Sequence, residues 1–128
     1  MIYVDTSAAF KLMKPEMHSA ALTDYLGARD DLVSSTVLAV ELRRGALRSA
    51  PRTLPRVDLL LTRVDLIDMD AIVVESASRL PDPLLRTLDA IHVATALLLG
   101  ADVDALVSYD NRMLTAAAAY GIPTACPT

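Results

Sequence analysis

Ile2-Tyr3-Val4-Asp5-Thr6-Ser7 is the stretch on which the fold turns. Three apolar residues, two of them β-branched, read as a short strand; the run stops at an acid followed by two hydroxyls, and a helical pattern begins there. A continuous apolar run, rather than an alternating one, is what a strand covered on both faces requires. The same unit recurs downstream. Leu32-Val33-Ser34-Ser35 reads as a strand, with Ser35 or Thr36 placed to cap a helix carrying Val37, Val40, Glu41, Leu42 and Leu47. Ala105-Leu106-Val107 is a third such strand, followed by Ser108-Tyr109-Asp110 and a helix over 111–120. Strands alternating with helices imply a mostly parallel sheet with helices on both faces.

The remaining elements fit the same scheme. Pro15 sits where a first-turn proline belongs, and Met17, Ala20, Ala21, Leu22 and Tyr25 follow at helical spacing up to Gly27. A helix is expected over 54–64, a short strand over 66–69, and a helix over 71–80 that stops before Pro81 and Pro83. Thr87, Leu88, Ile91, Ala94, Thr95 and Leu98 outline a helix ended by Gly100, and 122–126 can form an edge strand despite Pro123. The expectation is one α/β domain over residues 1–128, a three-layer sandwich with a parallel sheet of four or five strands. A chain of 128 residues, 53% hydrophobic and 22% charged, can bury roughly two-thirds of its unfolded surface, which argues against disorder.

Composition also excludes function classes. The oiliest stretch, 93–101, is far short of the about 20 apolar residues that span a bilayer. Met1-Ile2-Tyr3-Val4-Asp5 has no basic start and reaches an acid at once, so it is not read as a signal peptide, and a cytoplasmic location is expected. Cys126 is the only cysteine, which precludes an intrachain disulfide and a thiolate zinc site. Any metal must be held by oxygen. Twelve Lys+Arg against sixteen Asp+Glu give a net charge of −4, no basis for passive adhesion to nucleic acid. One Phe, four Tyr and no Trp are too few for a base-stacking platform.

Four of the sixteen acids sit where acids are not decoration. Asp5 and Asp110 follow apolar strands, at the carboxyl ends where open α/β sheets place ligands. Each is also positioned to cap the helix after it, and capping and catalysis do not exclude one another. Glu41 lies between Val40 and Leu42, and Asp89 lies between Leu88 and Ala90 in the oiliest helix. A buried, unpaired carboxylate costs several kcal/mol or protonates, so these positions call for a cation or dense hydrogen bonding. The competing reading pairs Glu41 with Arg44 or Arg48 along its own helix; it is weaker for Asp89, whose i+4 neighbour is Val93. Four acids converging at the carboxyl edge would form an all-oxygen site for Mg²⁺ or Mn²⁺.

Competing chemistries fail at named positions. His92 follows Asp89 by three residues, as in di-iron carboxylate bundles, but His18 has no matching partner, so His92 is read as a packing or orienting residue. A dehalogenase-type phosphatase would place an acid at Ser7. A receiver domain would want a lysine after a late strand, and the only lysines are Lys11 and Lys14. Four glycines, at 27, 45, 100 and 121, make no phosphate loop, and no Cys-His or G-x-S-x-G nucleophile exists.

Taken in order, Val4-Asp5-Thr6-Ser7, Val40-Glu41-Leu42 with Arg44, the block Thr87-Leu88-Asp89-Ala90-Ile91-His92-Val93-Ala94-Thr95-Ala96, and Ser108-Tyr109-Asp110 resemble the PIN-domain ribonucleases. Among those the likeness is to the VapC-type toxins of toxin–antitoxin pairs, and it extends to the closing Gly121-Ile122-Pro123. Ser108 stands where the family often has threonine, which keeps a hydroxyl in place. The resemblance implies strand order 3-2-1-4-5 and an acid quartet Asp5, Glu41, Asp89 and Asp110 that binds Mg²⁺ or Mn²⁺. It implies a hydroxyl, Thr6 or Ser7, beside the first acid. It also implies endoribonuclease activity, a cognate VapB-type antitoxin and a homodimer. A non-catalytic binding module of the same fold, or a nuclease acting on DNA or on particular structures, are the contrasting readings.

Arg43, Arg44, Arg48, Arg52 and Arg56 fall in a segment, 42–57, without a single Asp or Glu. Next to Glu41 such a surface can contact RNA phosphates, although a solvated helix face explains it equally; Gly45 is expected to loosen this helix. No side chain presents itself as a covalent nucleophile. Water attack is therefore expected, leaving 5′-phosphate and 3′-hydroxyl ends.

Overall fold

A computed structural model describes residues 1–128. In chain order the elements are β1 (Ile2–Val4), α1 (Thr6–Met13), α2 (Ser19–Leu26), β2 (Leu32–Ser35), α3 (Val37–Ser49), α4 (Leu54–Leu61), β3 (Asp65–Ile67), α5 (Ala71–Ser78), α6 (Thr87–Leu99), β4 (Ala105–Val107), α7 (Asn111–Ala119) and β5 (Thr124–Ala125). All five strands are parallel, in the order β3-β2-β1-β4-β5. Both the three-layer α/β/α architecture and the strand order agree with the reading of the sequence.

Strand side chains divide by the period of two. Ile2, Val4, Leu32, Ala105 and Val107 face one side and pack with α1, α2, α3 and α4. Tyr3, Val33 and Leu106 face the other and pack with α6 and α7. With both faces covered, the central strands β1, β2 and β4 are buried at every position, which is why β1 and β4 run apolar without alternation; β2 ends in two buried serines, Ser34 Oγ donating to the Val4 carbonyl at 2.8 Å. No helix is long and apolar enough to cross a membrane.

Two local expectations are corrected. The second helix begins at Ser19 and not at Pro15. Ser19 Oγ accepts from the Glu16 N–H at 3.0 Å and donates to the Lys11 carbonyl at 2.8 Å, which ties residues 16–19 into a turn. His18 closes that turn with φ +70°, so the helix cannot extend back through it. Gly45 does not loosen α3. A Cβ at this position would lie 2.2 Å from Phe10 Cζ, so the glycine is the recess that lets the α1 phenylalanine pack on α3. At the start of α3 the capping group is Ser35, whose Oγ accepts from Val37 N–H at 3.1 Å, while Thr36 makes no side-chain cap.

Candidate active site

The carboxyl ends of β1 and β4, the second turn of α3 and the first turn of α6 meet at one edge of the sheet. Asp5 leaves β1 with its N–H bonded to the Val107 carbonyl at 3.1 Å, which fixes it beside β4. The residue is 5% exposed, and its side chain does not cap α1. Instead Oδ2 accepts from Ser7 Oγ at 2.9 Å and from Ser108 Oγ at 2.7 Å. Each hydroxyl in turn accepts a backbone N–H, Tyr109 on Ser7 at 2.9 Å and Asp110 on Ser108 at 3.0 Å. A serine has one hydroxyl proton, so both are spent on Asp5, and the 3.1 Å approach between the two Oγ atoms carries none. Oδ1 takes no part in this network and is the oxygen left for a ligand.

Glu41 is anchored by Thr6 and His92. Its Oε1 accepts from Thr6 Oγ1 at 2.8 Å and meets His92 Nε2 at 2.7 Å. The local pairing with Arg44 or Arg48 does not form; the partner lies 51 residues away. A carboxylate takes only donors, so we assign the proton to Nε2, and Nδ1 then accepts from the Tyr3 hydroxyl at 2.8 Å. Burial pushes the Tyr3 phenol well above its usual range, which keeps that hydroxyl a donor at neutral pH. Burial also works to raise the Glu41 carboxyl, but the His92 and Thr6 contacts outweigh it and hold the group below its ordinary value. Glu41 is therefore ionised.

Asp110 does cap α7, its Oδ1 accepting from Arg112 N–H at 2.9 Å, and its Oδ2 is turned into the cleft. Asp89 belongs to the first turn of α6, with a side chain 18% exposed rather than sealed in the core. Partial burial raises the Asp89 carboxyl; Arg86 opposes the shift, and the charges of Asp5 and Asp110 add to it. Arg86, one residue before α6, places Nε 3.5 Å from Asp89 Oδ2 and Nη2 3.8 Å from Asp110 Oδ2.

Asp5, Thr6, Ser7, Glu41, Arg86, Thr87, Leu88, Asp89 and Asp110 line one cleft of about 360 Å³. All four sequence-selected acids share it, and so do both candidate hydroxyls. The expected convergence is incomplete: nowhere in the chain do three His, Cys, Asp or Glu side chains form a ready ligand cage. The donor set nonetheless suits a hard divalent cation, being oxygen throughout, net negative, and already holding one cationic side chain between two carboxylates. An ion such as Mg²⁺, which keeps several of its waters, needs only one or two direct carboxylates. Arg43, Arg44 and Arg48 are exposed but do not line the cleft; Arg43 pairs with Asp58 at 3.1 Å, and Arg48 borders a separate groove between α1 and α3. Arg86 and the contact of His92 with Glu41 were not selected by the sequence reading. The Arg86-x-x-Asp89 spacing was the one available signal for the former.

A parallel sheet in the order 3-2-1-4-5 with acids gathered at its carboxyl edge defines the class, and the PIN domain family model matches residues 2–119. The chain belongs to the PIN-domain family. Its relatives narrow this to the VapC branch: it is 43% identical over 131 residues to Ribonuclease VapC35 of Mycobacterium tuberculosis, covering 99% of this chain and 97% of that protein. It is 39% identical over 127 residues to Ribonuclease VapC46 of the same organism, covering 99% and 98%. Among solved structures, M. tuberculosis VapC20, described as a sarcin-ricin loop cleaving toxin, superposes with TM-score 0.75 at 17% identity, covering 99% of this chain and 100% of that one. VapBC2 from Rickettsia felis bound to a promoter DNA fragment gives TM-score 0.75 at 16% identity, covering 100% of both chains.

Proposed function

We propose that this protein is a divalent-metal-dependent endoribonuclease and the toxin of a VapBC-type toxin–antitoxin pair, hydrolysing RNA phosphodiesters to 5′-phosphate and 3′-hydroxyl ends. The observation that carries the reading is the shared cleft of Asp5, Glu41, Asp89 and Asp110 in a chain that aligns end to end with proteins named Ribonuclease VapC. Asp5, Asp89 and Asp110 would hold Mg²⁺ or Mn²⁺ directly or through water, with Glu41 completing the shell or orienting the attacking water. When bound, such an ion supplies charge neutralisation for the phosphate and acidifies a bound water.

The chain's own residues do the rest. Ser7 and Ser108 pin Asp5 so that one oxygen faces the cleft. Thr6 and His92 hold Glu41 ionised and oriented, able to take a hydrogen bond or proton from the water that attacks phosphorus. Ser7 and Ser108 each donate to Asp5 while their oxygens accept the Tyr109 and Asp110 N–H groups, so these hydroxyls are tied into the network that fixes Asp5, and water is the nucleophile in this reading. Arg44 and Arg48, outward along α3 from Glu41, together with Arg43, are the candidate contacts to flanking RNA phosphates. A VapB-type antitoxin, a homodimer and a cytoplasmic location complete the proposal. Exposed Val40 and Leu47 on α3, Leu59 on α4, and Ile72 and Val74 on α5 are apolar surface available to such partners.

The test is incubation of the pure protein with a panel of cellular RNAs, with Mn²⁺, with Mg²⁺ and with EDTA. Discrete cleavage that needs the metal is expected, and Asp5→Asn should abolish it. Binding of RNA without cleavage under every condition would favour the non-catalytic module; cleavage of DNA alone would favour the DNA nuclease.

A further inference from the structure

Arg86 is the one basic side chain lining the acid cleft, and its position is specific. Asp110 has committed Oδ1 to the α7 cap, so Oδ2 is its available oxygen, and that is the atom Arg86 Nη2 approaches at 3.8 Å. Asp89 likewise presents Oδ2 to Arg86 Nε at 3.5 Å. One guanidinium thus lies against two cleft oxygens, Asp89 Oδ2 and Asp110 Oδ2, that have no hydrogen-bond partner. These are ion-pair distances longer than normal hydrogen bonds, and the side chain is 64% exposed, so the contact is loose and its release costs little. The residue precedes α6 in extended backbone, after the Pro81-Asp82-Pro83 loop, and its long side chain can leave toward solvent.

We propose that Arg86 is the cleft's internal counter-cation: it neutralises Asp89 and Asp110 in the metal-free protein, competes with the divalent cation for them, and vacates when the cation binds. This rests on the metal-site reading given above. A single positive charge balances two carboxylates only in part, whereas a divalent ion balances both, so exchange is favoured once the ion is present. Arg86 therefore sets the metal concentration at which the cleft fills. A positioning role, in which the arginine holds the acids in place for the ion, makes the opposite prediction.

The experiment is direct Mn²⁺ binding, by calorimetry and by electron paramagnetic resonance of free Mn²⁺, on the wild type, Arg86→Gln and the control Arg79→Gln. Removing the competitor should tighten Mn²⁺ binding by about three- to tenfold, the size two exposed ion pairs support, while the control matches the wild type. In the wild type, the Arg86 Nε–H resonance should shift on saturation with diamagnetic Mg²⁺. Unchanged or weaker Mn²⁺ binding in Arg86→Gln, or an unmoved Arg86 resonance, would overturn the proposal while leaving the metal site standing. Absence of Mn²⁺ binding in both wild type and Arg86→Gln would remove the metal site itself, and this inference with it.

Discussion

Replacing His92 with phenylalanine tests how the cleft is built from the core. The ring is 1% exposed and joins Tyr3, itself 0% exposed, to Glu41. Phenylalanine fills similar space but offers no nitrogen. Tyr3 then keeps a buried hydroxyl without its 2.8 Å partner, a loss of about 1–3 kcal/mol. Glu41 loses one charge-assisted bond, but at 22% exposure water replaces part of it, so about 1 kcal/mol is a fair figure. The sum is roughly 2–4 kcal/mol, or about 6–16 °C in Tm for a chain of this size. Tyr3→Phe alone should cost about 1 kcal/mol, because it leaves only Nδ1 without its donor. In the double variant no hydroxyl is orphaned, so the two costs should fall short of additivity by at least about 1 kcal/mol. Urea and thermal unfolding of the four proteins at pH 7, followed by circular dichroism, measure the cycle. Strict additivity, or a His92→Phe protein as stable as the wild type, would refute the Tyr3–His92–Glu41 chain.

Asp89→Asn should raise Tm in EDTA at pH 7. Because the folded-state carboxyl is raised above its unfolded value, its ionisation costs folded stability above that range; the gain should therefore fade as pH falls below about 4, where the wild-type group is protonated in both states. The double change Ser7→Ala and Ser108→Ala frees Asp5 Oδ2 from both hydroxyls, and should lower Mn²⁺ affinity or turnover by about 10–100-fold, read by calorimetry and single-turnover cleavage. Gly45→Ala should destabilise the protein by roughly 1–3 kcal/mol despite the better helix propensity of alanine, and Phe10→Leu should recover part of the loss in a denaturant titration.

The parallel sheet was readable because β1 and β4 are buried on both faces and so carry unbroken apolar runs at Ile2–Val4 and Ala105–Val107, while β2 pairs Leu32-Val33 with two buried serines. Asp5 and Asp110 were readable because a strand end is a place in the sequence as well as in space. What escaped depends on contacts between distant segments. For Glu41 the sequence offered only Arg44 and Arg48 on its own helix as local partners, whereas its hydrogen bond goes to His92, 51 residues away. Gly45 looked like a weakness in a helix because nothing in the sequence says that Phe10 lies over it. Ser19 starts α2 through a turn that the more conspicuous Pro15 conceals. Arg86, a lone arginine after a proline-containing loop, was marked only by its three-residue spacing to Asp89, and only the fold brings Asp110 within its reach.

Analysis of the cleavage ends tests the central claim most directly. A defined RNA should be digested in Mn²⁺ or Mg²⁺, alongside the same RNA carrying a single 2′-deoxy sugar at the cut site and alongside Asp5→Asn as control. Water attack organised by Asp5, Glu41, Asp89 and Asp110 predicts 5′-phosphate and 3′-hydroxyl ends, cleavage of the 2′-deoxy substrate, loss of activity in EDTA, and none in Asp5→Asn. A 2′,3′-cyclic phosphate, or cleavage that persists in EDTA, would contradict the account.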